Sequence, residues 1–305
     1  MIGKICGTGS SIPVKIMDND DLSNMVDTND AWIRERTGVE KRHIAESEST
    51  VSMAVEAGRQ ALAQTGIRPE ELDMIVVSTM SPDAVLPCTA CEVQKAIGAE
   101  GAVCFDLQAA CTGFIFAYNT AQAYIQSNMC RTVLLIGSER LSRLVDWTDR
   151  GTCILFGDGA GAAVLKAAEG RAYLPVSHSD GKKGEALTCD RYIHMDGRAV
   201  FQFAVTRVPE VIREVLTKNE LFMDDIDYFV LHQANRRIVE AVAKRLRQPI
   251  EKFPMNLQEY GNTSSASIPI LLDEMNRSGK LKKGQKLVVA GFGAGLSWGA
   301  SIVEW

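Results

Sequence analysis

The chain has 305 residues, of which 46% are hydrophobic, and a formal net charge of −5. This composition excludes disordered and fibrous classes, and the negative charge argues against general nucleic-acid binding, which needs a basic surface to neutralise phosphates. There is no apolar run of 18 residues and no charged leader before an apolar run. The sequence therefore predicts a cytoplasmic protein that is neither exported nor bound to a membrane.

Eight cysteines are spread along the chain, which favours reduced thiols over a disulfide framework. Cys88 and Cys91 form a C-x-x-C, but no second pair or nearby histidine completes a zinc set, and "CTACEVQKAI" is typical of a helix start. We therefore expect neither metal nor redox use of this pair. The scattered histidines contain no i, i+4 pair, so no metal and no cofactor is predicted.

Strand-like and helical runs alternate along the chain, which predicts an α/β protein. The acidic turn and apolar strand "EELDMIVVSTM" (70–80) is repeated as "MDDIDYFVLHQ" (223–233), which places Asp73 opposite Asp227. The same offset of about 154 residues pairs "VLLIGS" with "LVVAGF". Two α/β segments can resemble each other by chance, but chance would not be expected to give several pairs the same separation in the sequence.

Each half closes with a glycine-rich strand, "GDGAGAAVLK" in the first and "GLSWGASIVEW" in the second. We therefore predict two duplicated halves, 1–166 and 167–305, related by a pseudo-twofold axis. The constant offset also places Cys111 opposite Ser265.

In "DLQAACTGF" (106–114), Cys111 lies between a strand pattern and a helix pattern. The free N–H groups and dipole of a helix start favour a thiolate and predict a lowered pKa for Cys111. Buried structural cysteines are nevertheless common, so location alone leaves a reactive and a structural role open.

Two residues of the second half strengthen the reactive interpretation. His232 ends the apolar run "IDYFVLHQAN", and the carboxyl ends of strands are where open α/β folds bind ligands. Asn262, in "YGNTSSASIP", begins the elbow that the repeat matches to the elbow of Cys111. Either residue alone is compatible with a structural role, but the repeat predicts that both face one cleft with Cys111.

A Cys, His and Asn set is compatible with two chemistries. In a papain-like hydrolase, the histidine deprotonates the cysteine and the asparagine orients the histidine. In carbon–carbon bond formation on thioesters, the cysteine carries an acyl group while histidine and asparagine donate hydrogen bonds to an enolate oxygen. This sequence lacks the local signature that surrounds the catalytic cysteine of papain-like hydrolases. The glycines of "GFGAG" (291–295) would let backbone N–H groups approach a substrate oxygen, and no dinucleotide fingerprint is present.

With these residues assembled, the sequence resembles the thiolase superfamily, and most closely the β-ketoacyl-ACP synthase III family, along its whole length. The segments that carry the resemblance are "TNDAWIRERTGVEKRHIA", "DLQAACTGF", "DWTDRGTCILFGDGAGAAVL", "LHQANRRI", "YGNTSSASIP" and "GFGAGLSWG". The resemblance implies a five-layered α/β/α/β/α fold and a homodimer. A polyketide starter enzyme with the same residues, or a non-catalytic scaffold that keeps the fold, are the alternatives.

The implied reaction is the first condensation of fatty-acid synthesis, an acyltransfer from acyl-CoA, acetyl-CoA in the simplest case, to malonyl-ACP. Cys111 would attack the acyl-CoA, and His232 and Asn262 would hold the enolate formed when malonyl-ACP loses CO2. The acyl oxygen would lie between the backbone N–H groups of Cys111 and Ala294. Ala294 replaces a glycine that is frequent in the family, which makes the conformation of this loop important.

The resemblance also implies binding residues. For CoA these are Trp32 and Arg150 on either side of the adenine, and Arg36 near the phosphates. For the acidic carrier protein, the basic helix after His232 offers a face that comprises Arg237, Lys244 and Arg245. Leu86 falls where a residue of the neighbouring subunit lines the acyl tunnel, and the region between about residues 180 and 200, which helps cover that tunnel, is short for the family.

Overall fold

The computed structural model describes residues 1–305 and shows the predicted alternation of strands and helices. The strands are β1 Ile2–Ser11, β2 Ile16–Asp18, β3 Lys41–His43, β4 Met74–Ser78, β5 Val103–Leu107, β6 Thr132–Glu139, β7 Gly159–Ala168, β8 Val176–Ser179, β9 Leu187–Cys189, β10 Ile193–Met195, β11 Tyr228–Leu231, β12 Lys286–Gly293 and β13 Ser297–Glu304. The α-helices are α1 Asn19–Ser23, α2 Asp30–Thr37, α3 Thr50–Ala63, α4 Thr89–Ile97, α5 Gly113–Gln126, α6 Arg150–Cys153, α7 Gly197–Lys218, α8 Arg236–Leu246, α9 Leu257–Tyr260 and α10 Ser267–Arg277. None of these helices is long and apolar enough to cross a membrane.

Two mixed sheets form the frame of the molecule. The first has the strand order β1-β7-β6-β4-β5, and the second has the order β8-β13-β12-β11. Each sheet contains one antiparallel central pair, which is β6 with β7 in the first sheet and β12 with β13 in the second. The next pair in each sheet is parallel, which is β4 with β6 in the first sheet and β11 with β12 in the second. The second sheet thus repeats the first without a fifth strand, which confirms the α/β architecture of two related halves.

The helices and sheets are stacked in five layers. Helices α3 and α4 cover the outer face of the first sheet, and α7 and α8 cover the outer face of the second. Helices α5 and α10 lie between the sheets, where they pack on alternate residues such as Val133 and Leu135 of β6 and Leu287 and Val289 of β12. Neighbouring residues of the same strands, such as Leu134 and Val288, point to the outer layers. The predicted thiolase-like layering is therefore confirmed.

The internal repeat extends to individual hydrogen bonds and dihedral angles. The Asp73 carboxylate accepts a hydrogen bond from the Thr132 N–H at 2.9 Å, and the Asp227 carboxylate accepts one from the Lys286 N–H at 2.8 Å. The elbows before α5 and α10 each contain a non-glycine residue with positive φ, Ala110 at 46° and Ser264 at 49°. Such conformations are strained by about 1–3 kcal/mol each and cluster at functional sites.

The core between the sheets belongs to both halves of the chain. One apolar cluster joins Met74 and Phe114 of the first half to Val230 and Leu271 of the second. Glycine allows the closest contact, because a Cβ at Gly137 would lie 2.5 Å from the Ser265 carbonyl oxygen. The predicted division between residues 166 and 167 falls just before the end of β7 and stays a prediction about domain organisation.

Candidate active site

Cys111 lies in a short 3-10 turn, Ala110–Thr112, between β5 and α5. The strand-to-helix elbow predicted from the sequence is therefore confirmed. The side chain is 8% exposed and lines a cavity of about 800 Å³. The turn is fixed by the Thr112 hydroxyl, which is hydrogen-bonded to the Ser297 hydroxyl at 2.7 Å, so both halves of the chain hold the elbow.

The predicted direction of the Cys111 pKa is wrong. Burial raises the pKa of the thiol to about 12, and the nearby Glu139 carboxyl adds to the increase. Loss of hydration around the charged form outweighs the stabilisation by the helix start, because the thiol is enclosed between two layers of structure. In the free protein Cys111 is therefore a thiol, and its proton is lost only during reaction.

His232 follows β11 and is buried against the end of β12, where its N–H donates to the Ala290 carbonyl at 2.9 Å. Its Nδ1 is 2.7 Å from the hydroxyl oxygen of Ser267, the first residue of α10. That oxygen also accepts a hydrogen bond from the Gln233 N–H at 3.4 Å. The Ser267 hydroxyl can donate its proton to Nδ1, and in the tautomer that accepts this hydrogen bond the imidazole proton is on Nε2.

Burial also determines the charge of His232. Enclosure in the low-dielectric interior lowers its pKa to about 3, so the imidazole is neutral across the physiological range. A neutral ring with its proton on Nε2 is a hydrogen-bond donor toward the cavity, which His232 lines. The predicted neutral donor is therefore consistent with the buried environment.

Asn262 lines the same cavity and is held by its backbone and its side chain. Its N–H donates to the Leu155 carbonyl at 2.8 Å, and its Oδ1 accepts from the Ser264 N–H at 2.8 Å. Because a backbone N–H can only donate, this contact assigns the oxygen of the amide to Ser264. The Nδ2 makes no hydrogen bond within the chain and remains available as a donor.

These contacts decide between the two chemistries left open by the sequence. In a cysteine hydrolase the asparagine oxygen orients the histidine, but here Ser267 binds His232 and the Asn262 oxygen binds the Ser264 N–H. Two donors beside a buried thiol suit the stabilisation of a negatively charged oxygen. The arrangement therefore favours carbanion chemistry on a thioester.

The end of β12 passes directly against the cysteine elbow. A Cβ at Gly293 would lie 2.8 Å from the Cys111 nitrogen, so only glycine allows this approach. The next residue, Ala294, lines the cavity and is not among the residues with positive φ, so alanine fits this loop without backbone strain. The loop therefore places the backbone of Ala294 near that of Cys111, as an oxyanion site requires.

Comparison with known proteins agrees with this chemistry. A family profile described as 3-oxoacyl-[acyl-carrier-protein (ACP)] synthase III matches residues 105–181, and the profile of the C-terminal part of the same family matches residues 216–305. The β-ketoacyl-[acyl-carrier-protein] synthase III of Clostridium novyi is 47% identical over 319 aligned residues, which cover 99% of this chain and 98% of the relative. The chain belongs to the β-ketoacyl-ACP synthase III family. It is therefore an acyltransferase of the condensing-enzyme type.

Solved structures extend the comparison to three dimensions. The 3-oxoacyl-[acyl-carrier-protein] synthase III of Aquifex aeolicus is 44% identical and superposes with a TM-score of 0.97, covering 99% of this chain and 100% of that one. The priming β-ketosynthase of the R1128 polyketide pathway is 36% identical with a TM-score of 0.95, covering 99% and 96%. The curated relative at 47% identity and the solved structures at 44% and 39% identity are synthase III enzymes, so the polyketide alternative is not favoured.

The synthase III relatives carry internal residues that this chain lacks, because the alignments run over 319 positions although the chain has 305 residues. The region predicted to be short contains the hairpin of β9 and β10, and Leu187, Ile193 and Met195 of this hairpin line the cavity. The hairpin is thus the cover of the cavity on this side.

The predicted CoA residues lie together, and one of them lines the cavity. The Arg150 guanidinium carbon lies 4.9 Å from the centre of the Trp32 ring, and that of Arg36 lies 5.6 Å from it. Arg36 lines the cavity, whereas Trp32 and Arg150 lie outside it. Since Arg150 already stacks on Trp32, an adenine between them would have to move the two side chains apart.

The predicted carrier-protein residues lie along α8. Arg237 lines the cavity mouth, and its guanidinium carbon is 5.3 Å from the centre of the Phe201 ring. Lys244 and Arg245 lie almost two turns further along the helix and are exposed. All three are exposed on one helix, and Arg237 also lines the cavity.

Leu86 does not line the cavity of its own chain. It is 82% exposed and its neighbour Val85 is 89% exposed, so two apolar side chains project from the loop before α4. A role in the acyl tunnel therefore requires a second subunit.

Sequence reasoning missed three residues that support the site. Ser267 is hydrogen-bonded to His232, and Arg198 is a further basic residue that lines the cavity. Glu139 is completely buried and accepts hydrogen bonds from the hydroxyls of Ser81 at 2.6 Å and Ser265 at 2.7 Å. The only sequence signal was the internal repeat, which pairs Cys111 with Ser265 and so indicated that the elbow before α10 would pack against the first half of the chain.

Proposed function

We propose that the chain catalyses the decarboxylating condensation of acetyl-CoA with malonyl-ACP, with Cys111 as the acyl carrier. In the first half-reaction the Cys111 sulfur attacks the acetyl-CoA carbonyl, and the oxygen is stabilised by the backbone N–H groups of Cys111 and Ala294. The bond to the CoA sulfur breaks, and the thiol proton of Cys111 ends on the departing CoA. Arg36 at the mouth would bind the CoA phosphates.

In the second half-reaction the thioester oxygen of malonyl-ACP lies between His232 Nε2 and Asn262 Nδ2. Loss of CO2 leaves a carbanion whose charge is shared with that oxygen, so donors rather than a strong base are required. The carbanion attacks the acetyl carbonyl on Cys111, the bond to sulfur breaks, and β-ketoacyl-ACP leaves. The Cys111 thiolate then takes a proton from solvent, which restores the thiol of the free enzyme. Basic residues at the mouth, including Arg237, with Lys244 and Arg245 further along α8, would guide the acidic carrier protein.

One observation carries this proposal. The buried His232 and Asn262 each have one polar atom fixed by a neighbour, which directs the remaining donor of each residue to the cavity of Cys111. The test is to incubate the protein with acetyl-CoA and malonyl-ACP and to identify the product by mass spectrometry. Formation of acetoacetyl-ACP supports the proposal, and release of free acetate without condensation would contradict it.

The raised pKa of Cys111 predicts how acylation depends on pH. Below a pKa of about 12 the thiolate fraction increases about tenfold for each pH unit. His232, with a pKa of about 3, is already neutral at pH 5 and contributes no acid limb near its ordinary value of 6.5. We therefore expect the rate of Cys111 acetylation to rise steadily from about pH 6 to about pH 9. Quenched mass spectrometry of the acyl-enzyme measures this rate, and a plateau near neutral pH would contradict the prediction.

Ser267 is predicted to act through His232 as a positioning residue. Ser267→Ala removes the donor to Nδ1, so the tautomer with its proton on Nε2 is less populated, and malonyl-ACP decarboxylation should slow about tenfold. Ser267→Thr keeps a hydroxyl and should retain most of the rate. Cys111 acetylation should be unaffected in both variants, and equal losses in the two half-reactions would indicate a general structural defect instead.

We also propose that the protein is a homodimer formed across β5. This strand lies at an edge of the first sheet, where its outer backbone groups have no partner strand, and Val103 on it is 60% exposed. The neighbouring Leu86 would then reach the tunnel of the partner subunit. We expect light scattering to give a dimer mass, and Val103→Lys to give a monomer because charge on an edge strand opposes pairing. Met129→Lys, at another exposed apolar residue, is the control and should remain dimeric.

A further inference from the structure

Three cysteines outside the cavity lie next to one another. Cys88 precedes α4, Cys91 is in its first turn, and Cys104 is on the adjacent strand β5. The sulfur atoms of Cys88 and Cys91 are 3.4 Å apart, and Cys104 interacts with both. All three side chains are partly exposed, and none of them lines the cavity of Cys111.

The backbone brings the two sulfur atoms of the C-x-x-C together. Cys88 is the N-cap of α4, and its carbonyl accepts hydrogen bonds from the N–H groups of Cys91 at 3.1 Å and Glu92 at 3.3 Å. Residues three apart in the first turn of a helix lie on the same face. A disulfide has a sulfur–sulfur bond of about 2.0 Å, so the two sulfur atoms, now 3.4 Å apart, would have to approach each other further to form it.

The surroundings indicate which oxidant suits the pair. The Asp106 carboxylate accepts hydrogen bonds from the N–H groups of Thr89 and Ala90, both at 2.8 Å, so the helix start is not free to stabilise a thiolate. The hydrogen bond with Cys88, burial and the charge of Asp106 together raise the pKa of Cys91. A raised pKa lowers the thiolate fraction and slows the reaction of Cys91 with every oxidant. Among oxidants, a small one has the best access to the partly exposed sulfur atoms.

We propose that Cys88 and Cys91 form a reversible dithiol–disulfide pair that is oxidised by hydrogen peroxide. One sulfur attacks a peroxide oxygen, the O–O bond breaks, and a sulfenic acid and one water are formed. The second sulfur then attacks the first, the S–O bond breaks, and the second water leaves as the disulfide forms. The two thiols thus supply two electrons and two protons, and a dithiol reductant reverses the reaction.

This proposal differs from a metal site and from the expectation drawn from sequence. No group of three or more His, Cys, Asp or Glu side chains in the structure is arranged to hold a metal ion. From the sequence, neither metal nor redox use was expected, because no second cysteine pair or nearby histidine completes a zinc set and the segment is typical of a helix start. The contact between the two sulfur atoms in the structure is the observation that favours redox use.

The test uses the full-length enzyme and tryptic peptides. Cleavage before Gln60 and after Lys95 gives one peptide that contains only Cys88 and Cys91, because the Arg68–Pro69 bond resists trypsin. The next peptide, 96–131, carries Cys104, Cys111 and Cys130. After brief exposure to hydrogen peroxide and blocking of free thiols, we expect peptide 60–95 to be lighter than its dithiol form by two hydrogens and to recover with dithiothreitol.

Two variants make the result specific. Cys104→Ser should leave the disulfide unchanged, whereas Cys88→Ser should abolish it. Serine is close to cysteine in size, so both variants should keep the fold, and circular dichroism checks that they do. The proposal is overturned if peptide 60–95 stays a dithiol while Cys111 in the same sample is oxidised. It is equally overturned if Cys91 is found cross-linked to peptide 96–131.

Discussion

Replacing Cys111 with alanine should abolish formation of acetoacetyl-ACP, with a loss of at least about 10³-fold. The variant has no sulfur to carry the acetyl group, so no covalent adduct should appear after incubation with acetyl-CoA. The donors His232 and Asn262 are unchanged, so slow decarboxylation of malonyl-ACP should remain measurable. Intact-protein mass spectrometry detects the adduct, and carrier-protein mass spectrometry detects the products.

A matched control separates chemistry from packing. Cys130 is also buried, at 5% exposure, but it lies in the core between the sheets and not at the cavity. Cys130→Ala should cost some stability and keep the acetyl adduct on Cys111. An acetyl adduct that persists in Cys111→Ala would show that another residue is the nucleophile.

The second large effect is expected at the two donors. His232→Ala and Asn262→Ala should each slow decarboxylation of malonyl-ACP by about 10²–10³-fold, because each removes one hydrogen bond to the enolate oxygen. Acetylation of Cys111 should persist in both variants. The two half-reactions are measured separately, by the acyl-enzyme mass and by the release of CO2.

Asn262→Asp gives the sharper test of this role. Aspartate keeps the oxygen that accepts from the Ser264 N–H, but it loses the NH2 group that we assign to the enolate. It should therefore be at least as slow in decarboxylation as the alanine variant. His178→Ala serves as the control for histidine removal, because His178 lies outside the cavity with its Nε2 2.8 Å from the Glu214 carboxylate. If the donor variants lost acetylation and kept decarboxylation, the assigned roles would be reversed.

The architecture could be predicted from the sequence because the internal repeat appears in short patterns of neighbouring residues. Asp73 and Asp227 start equivalent strands, and the change from strand to helix periodicity placed Cys111 at an elbow that the structure contains. The position of His232 at a strand end followed from the same kind of pattern. These features depend on neighbouring residues, which a single sequence displays directly.

Properties that depend on contacts between distant parts of the chain could not be predicted from the sequence. The pKa of Cys111 was predicted in the wrong direction because burial by both halves cannot be read from one turn. Ser267 was missed as the partner of His232 because the two residues are 35 positions apart, and the C-x-x-C was set aside because a contact between sulfur atoms is not visible in a spacing. The homodimer, the CoA residues and the carrier-protein residues stay predictions.

The core shared by the two halves has a consequence for building hybrid enzymes. Residues 169–175 form an exposed connection between β7 and β8, so exchanging halves between two relatives at this point would interrupt no strand. Such a hybrid would take its nucleophile from one parent and its two donors from the other. It would work only if the facing sides of α5 and α10 came from parents with compatible packing, since Phe114 and Leu271 belong to one cluster. Whether halves of two relatives can be combined in one active enzyme is therefore determined by the packing of these helices rather than by the chemistry of the active site.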